Sequence, residues 1–152
     1  MKKLNKNGID KTLIELINNK MPFIGICLGL QLMFTKSEEG QCNGLNLFKG
    51  TVPKIPDSVK VPHIGWNNLV FPKGFENWEG SLLQEINPGE AVYFVHSFMA
   101  VPNNPNHCIA NCLYGGVPMP AAIERDNIYG CQFHPEKSGE VGLKILRNFL
   151  SR

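Results

Sequence analysis

The chain has no excess of charge of either sign: 15 lysines and arginines stand against 13 acids, a formal net charge of +2, and charged residues are only 18% of it. Bulk attraction to a polyanion is therefore excluded, and no basic run interleaved with aromatics supplies a local one, so nucleic acid is not an expected partner. No apolar run is long enough to cross a bilayer, and the lysine-rich start Met1-Lys2-Lys3-Leu4-Asn5-Lys6 lacks the apolar core of a secretion signal. No membrane partner is expected, and the cytoplasm is the expected compartment. The five cysteines are an odd number with no C-x-x-C pair among them, which fits reduced thiols better than a disulfide framework. A zinc site is not expected either, since Cys108 and Cys112 fall in a strand-like segment. With 152 residues, 43% of them hydrophobic, the chain can bury one core, and 1–152 is expected to form a single domain.

What is present begins with Cys27, in Gly25-Ile26-Cys27-Leu28-Gly29, after the apolar run Met21-Pro22-Phe23-Ile24 and before a stretch that reads as a helix from Leu28 to Ser37. This is the pattern of a nucleophile elbow, a sharp strand-to-helix turn that holds its nucleophile in a strained backbone conformation and needs small neighbours. Gly25 and Gly29 are expected to let strand and helix approach closely. The helix N-terminus behind the sulfur is expected to lower the thiol pKa.

A second block, Gly130-Cys131-Gln132-Phe133-His134-Pro135-Glu136-Lys137-Ser138, places a histidine and an acid two apart after the β-prone segment Ile128 to Phe133. Cys27, His134 and Glu136 then make a triad. His134 would take the thiol proton and later deliver it to a leaving amine, while Glu136 would fix the imidazole tautomer. Read in isolation, His134 is equally a loop histidine and Glu136 a solvated charge.

The remaining chain alternates between helix and strand patterns. Leu13, Ile14, Leu16 and Ile17 predict an amphipathic helix from Asp10 to Asn19, with Asp10 as its cap. Gly40 to Pro62 reads as loops with one or two short strands. Strands are predicted at Ala91 to Phe98, His107 to Leu113, Ala121 to Glu124 and Ile128 to Phe133, and a closing helix from Gly139 to Leu150 with Val141, Ile145 and Phe149 on one face. An α/β sheet follows, with its site at the strand ends.

The Gly25 to Gln31 elbow and the Gln132 to Glu136 block resemble the two signatures of the class I (triad) glutamine amidotransferases. Three further blocks narrow the resemblance: Lys60-Val61-Pro62-His63-Ile64-Gly65-Trp66-Asn67, Tyr93-Phe94-Val95-His96-Ser97-Phe98, and Lys137-Ser138-Gly139 running into Gly142 to Phe149. Together they are similar to the glutaminase subunits of imidazole glycerol phosphate synthases, from about Gly8 to the end. The resemblance implies a flavodoxin-like mixed sheet with flanking helices. It implies glutamine hydrolysis through a Cys27 thioester with no cofactor or metal, and ammonia passed to a cyclase subunit in a heterodimer. It assigns Leu28 an oxyanion-stabilising N–H. Gln31, Glu39, His96, Ser97 and Phe98 become contacts to the substrate glutamine, Phe98 standing where the family more often has tyrosine. His63, Gly65, Trp66, Asn67, Tyr93 and Lys137 become partner-facing residues.

From the residues themselves, other readings stay open: exposed helix polarity for Gln31, a solvated charge near the elbow helix's end for Glu39, core burial for Trp66 and Tyr93, and a surface lysine for Lys137. His63 and His107 are expected to have structural, not catalytic, roles. The family usually opens with a strand, a glycine-rich turn and, further on, a Gly-Val-Gly-type oxyanion loop. This chain is expected to lack that first quarter, its Met1 to Asp10 segment resembling the helix after the loop. Supply of ammonia to a surface-polysaccharide sugar amidotransferase, an inactive remnant, and an unrelated cysteine hydrolase are the competing expectations.

Overall fold

A computed structural model describes Leu4 and residues 6–152; the predicted Met1 to Asp10 helix falls partly outside the described residues. Helix α1, Ile9–Asn18, carries the predicted amphipathic pattern, but its N-cap is Gly8 in the left-handed region, and Asp10 lies in the first turn. A Gly8 φ of 69° suits a residue without a Cβ, and an acid in the first turn still complements the helix dipole. The Asn127 amide donates to the carbonyls of Ile17 (3.0 Å) and Met21 (2.8 Å), which pins the end of α1 and aims the chain into strand β1, Phe23–Ile26.

After Cys27 comes α2, Leu28–Leu32, only five residues long. The helix expected to reach Ser37 breaks at Met33, and Phe34–Ser37 is strand β2. The pairing partner decides this: β2 lies parallel to β4, Phe48–Val52, with Phe34 opposite Phe48, and both rings are fully buried. Burying two such side chains is worth about 1.5–3 kcal/mol each, more than the propensity gained by continuing a helix. Strands β3 (Cys42–Asn43) and β7 (Val101–Pro102) flank that pair, giving the order β3-β2-β4-β7.

The main sheet has the order β1-β10-β9-β8, with β8 at Cys108–Tyr114, β9 at Val117–Arg125 and β10 at Ile128–Cys131. It is mixed: β1 runs parallel to β10, and the other pairs are antiparallel. A separate antiparallel ribbon joins β5, His63–Asn68, to β6, Ala91–His96. Helix α3 spans Gly139–Leu150 and sets Ile145 into the core with Val141 and Phe149 beside it. One apolar cluster lies around Phe94, Met119, Phe133 and Ile145, and a second joins Ile17, Leu30, Phe34 and Phe48. No helix among the described residues is long and apolar enough to cross a membrane.

Candidate active site

Cys27 caps α2 with φ 49° and ψ −106°, a strained conformation for a residue with a side chain. Its N–H donates to the Cys131 carbonyl at 2.7 Å, and its carbonyl accepts from Gln31 N at 3.2 Å, so the strain is held from both sides. Gly25 is required by contact: a Cβ there would stand 2.7 Å from Gly29 C and Leu30 N. Gly29 is not, because a Cβ at that position meets nothing within 4 Å.

The His134–Glu136 pair forms as predicted. His134 Nδ1 donates to the Glu136 carboxylate at 2.7 Å, which leaves Nε2 as the basic nitrogen. The turn carrying them, Pro135–Lys137, is anchored to β6, with His134 N donating to the Tyr93 carbonyl (2.9 Å). Ser138, 1% exposed, completes the anchor: its hydroxyl donates to the His134 carbonyl (2.6 Å) and accepts from Tyr93 N (3.0 Å). Helix α3 presses on the same turn, since a Cβ on Gly142 would collide with the Pro135 carbonyl oxygen.

No hydrogen bond joins Cys27 to His134 in this conformation. The thiol donates to the Val95 carbonyl (3.7 Å) and accepts from the Gln132 amide (3.8 Å). Burial pushes the thiol above its ordinary pKa, and the Glu39 and Glu136 carboxylates push the same way, against the Leu28 N–H and the Gln132 amide. The lowered pKa expected from the helix N-terminus is thus not realised: a helix of five residues offers little dipole, and lost hydration with two nearby anions outweighs it.

A pocket of about 350 Å³ opens beside the sulfur, lined by Cys27, Leu28, Gln31, Glu39, Pro62, Val95, His96, Ser97 and Phe98. The five residues assigned to glutamine by the resemblance and the oxyanion-side Leu28 therefore share one cavity. Glu39 reaches it from the 3₁₀ turn Glu39–Gln41 after β2, not from the end of the elbow helix. Gln31 is 4% exposed, so exposed helix polarity is overturned for it. Its Nε2 donates to the Phe98 carbonyl (3.1 Å), and its Oε1 is buried without a partner. The Phe98 contact uses the backbone, which a phenylalanine supplies as well as a tyrosine.

Among the partner-facing residues, Trp66 is 59% exposed and makes an edge contact to half-buried Tyr93, which removes core burial as an account of Trp66. Gly65 and Asn67 are partly exposed on the same strand, and Lys137 is exposed. His63 departs from this group: it points inward, stacked between Phe94 (4.7 Å) and Tyr114 (4.0 Å). His107 packs its edge on Phe48. Gln132 went without a role in the sequence reading. The signal the sequence offers is a polar side chain inside the apolar, β-prone run Ile128 to Phe133; its full burial shows only in the fold. Among the described residues no group of three or more His, Cys, Asp and Glu side chains is arranged to hold a metal ion.

A strained cysteine at a strand-to-helix turn, a pocket opening beside its sulfur and a histidine–glutamate pair on the neighbouring strand's exit define a cysteine-dependent amidohydrolase site on an α/β scaffold. The model of the family "Glutamine amidotransferase class-I" matches residues 5–152, and the chain belongs to that family. Within it, the chain is 46% identical over 157 residues to the imidazole glycerol phosphate synthase subunit HisH 1 of Legionella pneumophila (strain Lens), covering 99% of this chain and 74% of that protein. It is also 46% identical over 147 residues to subunit HisH of Caldanaerobacter subterraneus, covering 96% of this chain and 70% of the relative. Among solved structures, a glutamine amidotransferase superposes with TM-score 0.70 at 16% identity, covering 99% of this chain and 70% of that one. A second, from Thermotoga maritima, gives 0.54 at 14% identity, covering 95% and 54%. The structural likenesses speak to the fold alone.

Proposed function

We propose that this chain is the glutaminase subunit of an imidazole glycerol phosphate synthase, hydrolysing glutamine to glutamate and ammonia and working as a heterodimer with a cyclase subunit in histidine biosynthesis. The observation that carries the reading is the convergence of Cys27, Gln31, Glu39 and His96 on one pocket beside the 2.7 Å His134–Glu136 pair. The 46% identity to HisH subunits supports the pathway. Residues 1–152 are read as one amidotransferase domain. The five unpaired cysteines suit the reducing cytoplasm.

In the reaction, the thiol leaves the Val95 carbonyl and gives its proton to His134 Nε2 as Sγ attacks the side-chain amide carbon of glutamine. The Leu28 N–H, at the start of α2, faces the developing oxyanion, and His134 returns the proton to the departing ammonia. Water, deprotonated by His134, then cleaves the thioester to glutamate and restores the thiol. Glu136 holds Nδ1–H throughout, so that Nε2 always faces the chemistry. Burial and two carboxylates favour the protonated form of the resting thiol, so in this reading proton transfer accompanies substrate binding.

The test is glutamate release from glutamine by the purified chain, alone and with a cyclase subunit, beside Cys27→Ala. The expected result is release that depends on Cys27 and rises with the cyclase, with Cys27→Ala inactive but still bound to the partner. Glutamate release that survives Cys27→Ala would overturn the mechanism, and loss of cyclase binding in that variant would make Cys27 structural.

A further inference from the structure

His63 has no role in the chemistry above, yet it is 2% exposed and its Nδ1 lies 3.0 Å from His96 Nε2. The hydrogen bonds around the two rings admit a single assignment of protons. His96 Nδ1 is 2.8 Å from the Phe98 carbonyl, which only accepts, so that nitrogen carries the hydrogen. A neutral His96 then has a bare Nε2, and His63 Nδ1–H must donate to it. His63 Nε2 is bare in turn and accepts from Asn67 Nδ2 at 3.4 Å. The Asn67 amide cannot be turned over, because Nδ2 also donates to the Leu113 carbonyl (2.9 Å) and Oδ1 accepts from Asn68 N (2.8 Å). Protons therefore point one way along Asn67, His63, His96 and the Phe98 carbonyl. The far end reaches the pocket: the Phe98 carbonyl also accepts from Gln31 Nε2, which donates to Gln132 Oε1 as well (3.4 Å), and the two bonds orient the Gln31 amide and leave its Oε1 as a buried, unpartnered acceptor on a pocket-lining side chain.

We propose that His63 is a positioning residue: acting through His96, it fixes the Phe98 carbonyl and the Gln31 amide in the orientation in which the pocket receives glutamine. The inference rests on the reading of the pocket as a glutamine site. Burial supports it by keeping both imidazoles neutral; with the nearby His96, it holds His63 down to about 4, and burial with nearby His134 lowers His96 against the pull of the Phe98 carbonyl. An added proton on either ring would set two N–H groups against each other. A hydrogen-bond chain buried this way acts as a unit, so removing an inner member disturbs the pocket end.

Two measurements test it. Long-range proton–nitrogen spectra of the ¹⁵N-labelled chain at neutral pH report ring tautomers without any need for activity. Both His63 and His96 are expected in the Nδ1–H form, the minor one for free histidine; Nε2–H in either ring overturns the proposal. Glutamine kinetics are then compared, with saturating cyclase, for His63→Phe, which keeps the stacking between Phe94 and Tyr114 but has no donor, and His63→Asn, whose amide keeps an N–H near the Nδ1 position. The expected result is a KM about tenfold higher in the first with kcat little changed, and recovery to within about threefold in the second. An unchanged KM in His63→Phe, or an asparagine variant no better than phenylalanine, overturns it. A wild-type chain that hydrolyses no glutamine would refute the glutamine reading instead, and the tautomers would still decide the hydrogen-bond chain.

Discussion

A thiol at the mouth of a short helix is subject to opposing influences, and their balance at Cys27 differs from the one a motif suggests. The elbow and the His134–Glu136 pair are legible in sequence because each is a local spacing: a glycine two before the nucleophile, an acid two after the base. The direction of the thiol pKa is not legible, since it depends on Glu39 and Glu136, brought in from other parts of the chain, and on burial. The charge contribution can be tested at this scale. Glu39→Gln removes a carboxylate that favours the protonated thiol, so thiolate should form at lower pH. The rate of Cys27 alkylation by iodoacetamide, followed against pH in a Cys42→Ser background, should show its inflection displaced downward from that of the parent. An unmoved inflection would mean that Glu39 does not act on the thiol.

At the scale of elements, the closing helix Gly139–Leu150 agrees with its predicted range, and the strands at Ala91, Cys108 and Ile128 begin within a residue of expectation, because their patterns are long and unbroken. The stretch from Leu28 to Ser37 was ambiguous because a short apolar segment fits either state, and the deciding contact, Phe34 against Phe48, is remote in sequence. That break brings Glu39 back to the pocket. The elbow glycines also separate at this scale. Gly25→Ala would set a methyl against the backbone of α2 and is expected to cost about 1–3 kcal/mol or more. Gly29→Ala, with open space around it inside a helix, is expected to be neutral or to stabilise by up to about 1 kcal/mol. Urea unfolding of the two variants checks the contrast, and equal effects would contradict the packing described.

For the whole molecule, the β5–β6 ribbon separates an exposed face that carries Ile64 and Trp66 from a buried one that carries His63, Phe94 and His96. Ile64 and Trp66 on β5 and Leu113 on β8 are each more than half exposed, while His63 on β5 is buried. Alternation along a strand produces this division, and the resemblance, which assigns the block as a whole to the partner, does not separate His63 from Trp66. An exposed tryptophan flanked by aliphatic side chains has the composition of an interface centre. Trp66→Ala is expected to weaken association with the cyclase by about 30-fold or more, as loss of a hot spot does, while leaving the unfolding midpoint of the isolated chain unchanged. Calorimetry of binding and a thermal melt would separate the two, and tight binding by the variant would place the interface elsewhere.

The distribution of thiols has a practical consequence. Cys108, Cys112 and Cys131 are buried, and burial pushes all three thiols up, the first two to about 12, whereas Cys27 and Cys42 are only half-covered. A disulfide-exchange reagent applied to the native chain should therefore consume two equivalents quickly and the other three only after denaturation. A Cys42→Ser chain would then carry one addressable sulfur, at the floor of the pocket, and a fluorophore or spin label placed there would report on ligand entry without any further engineering of the protein.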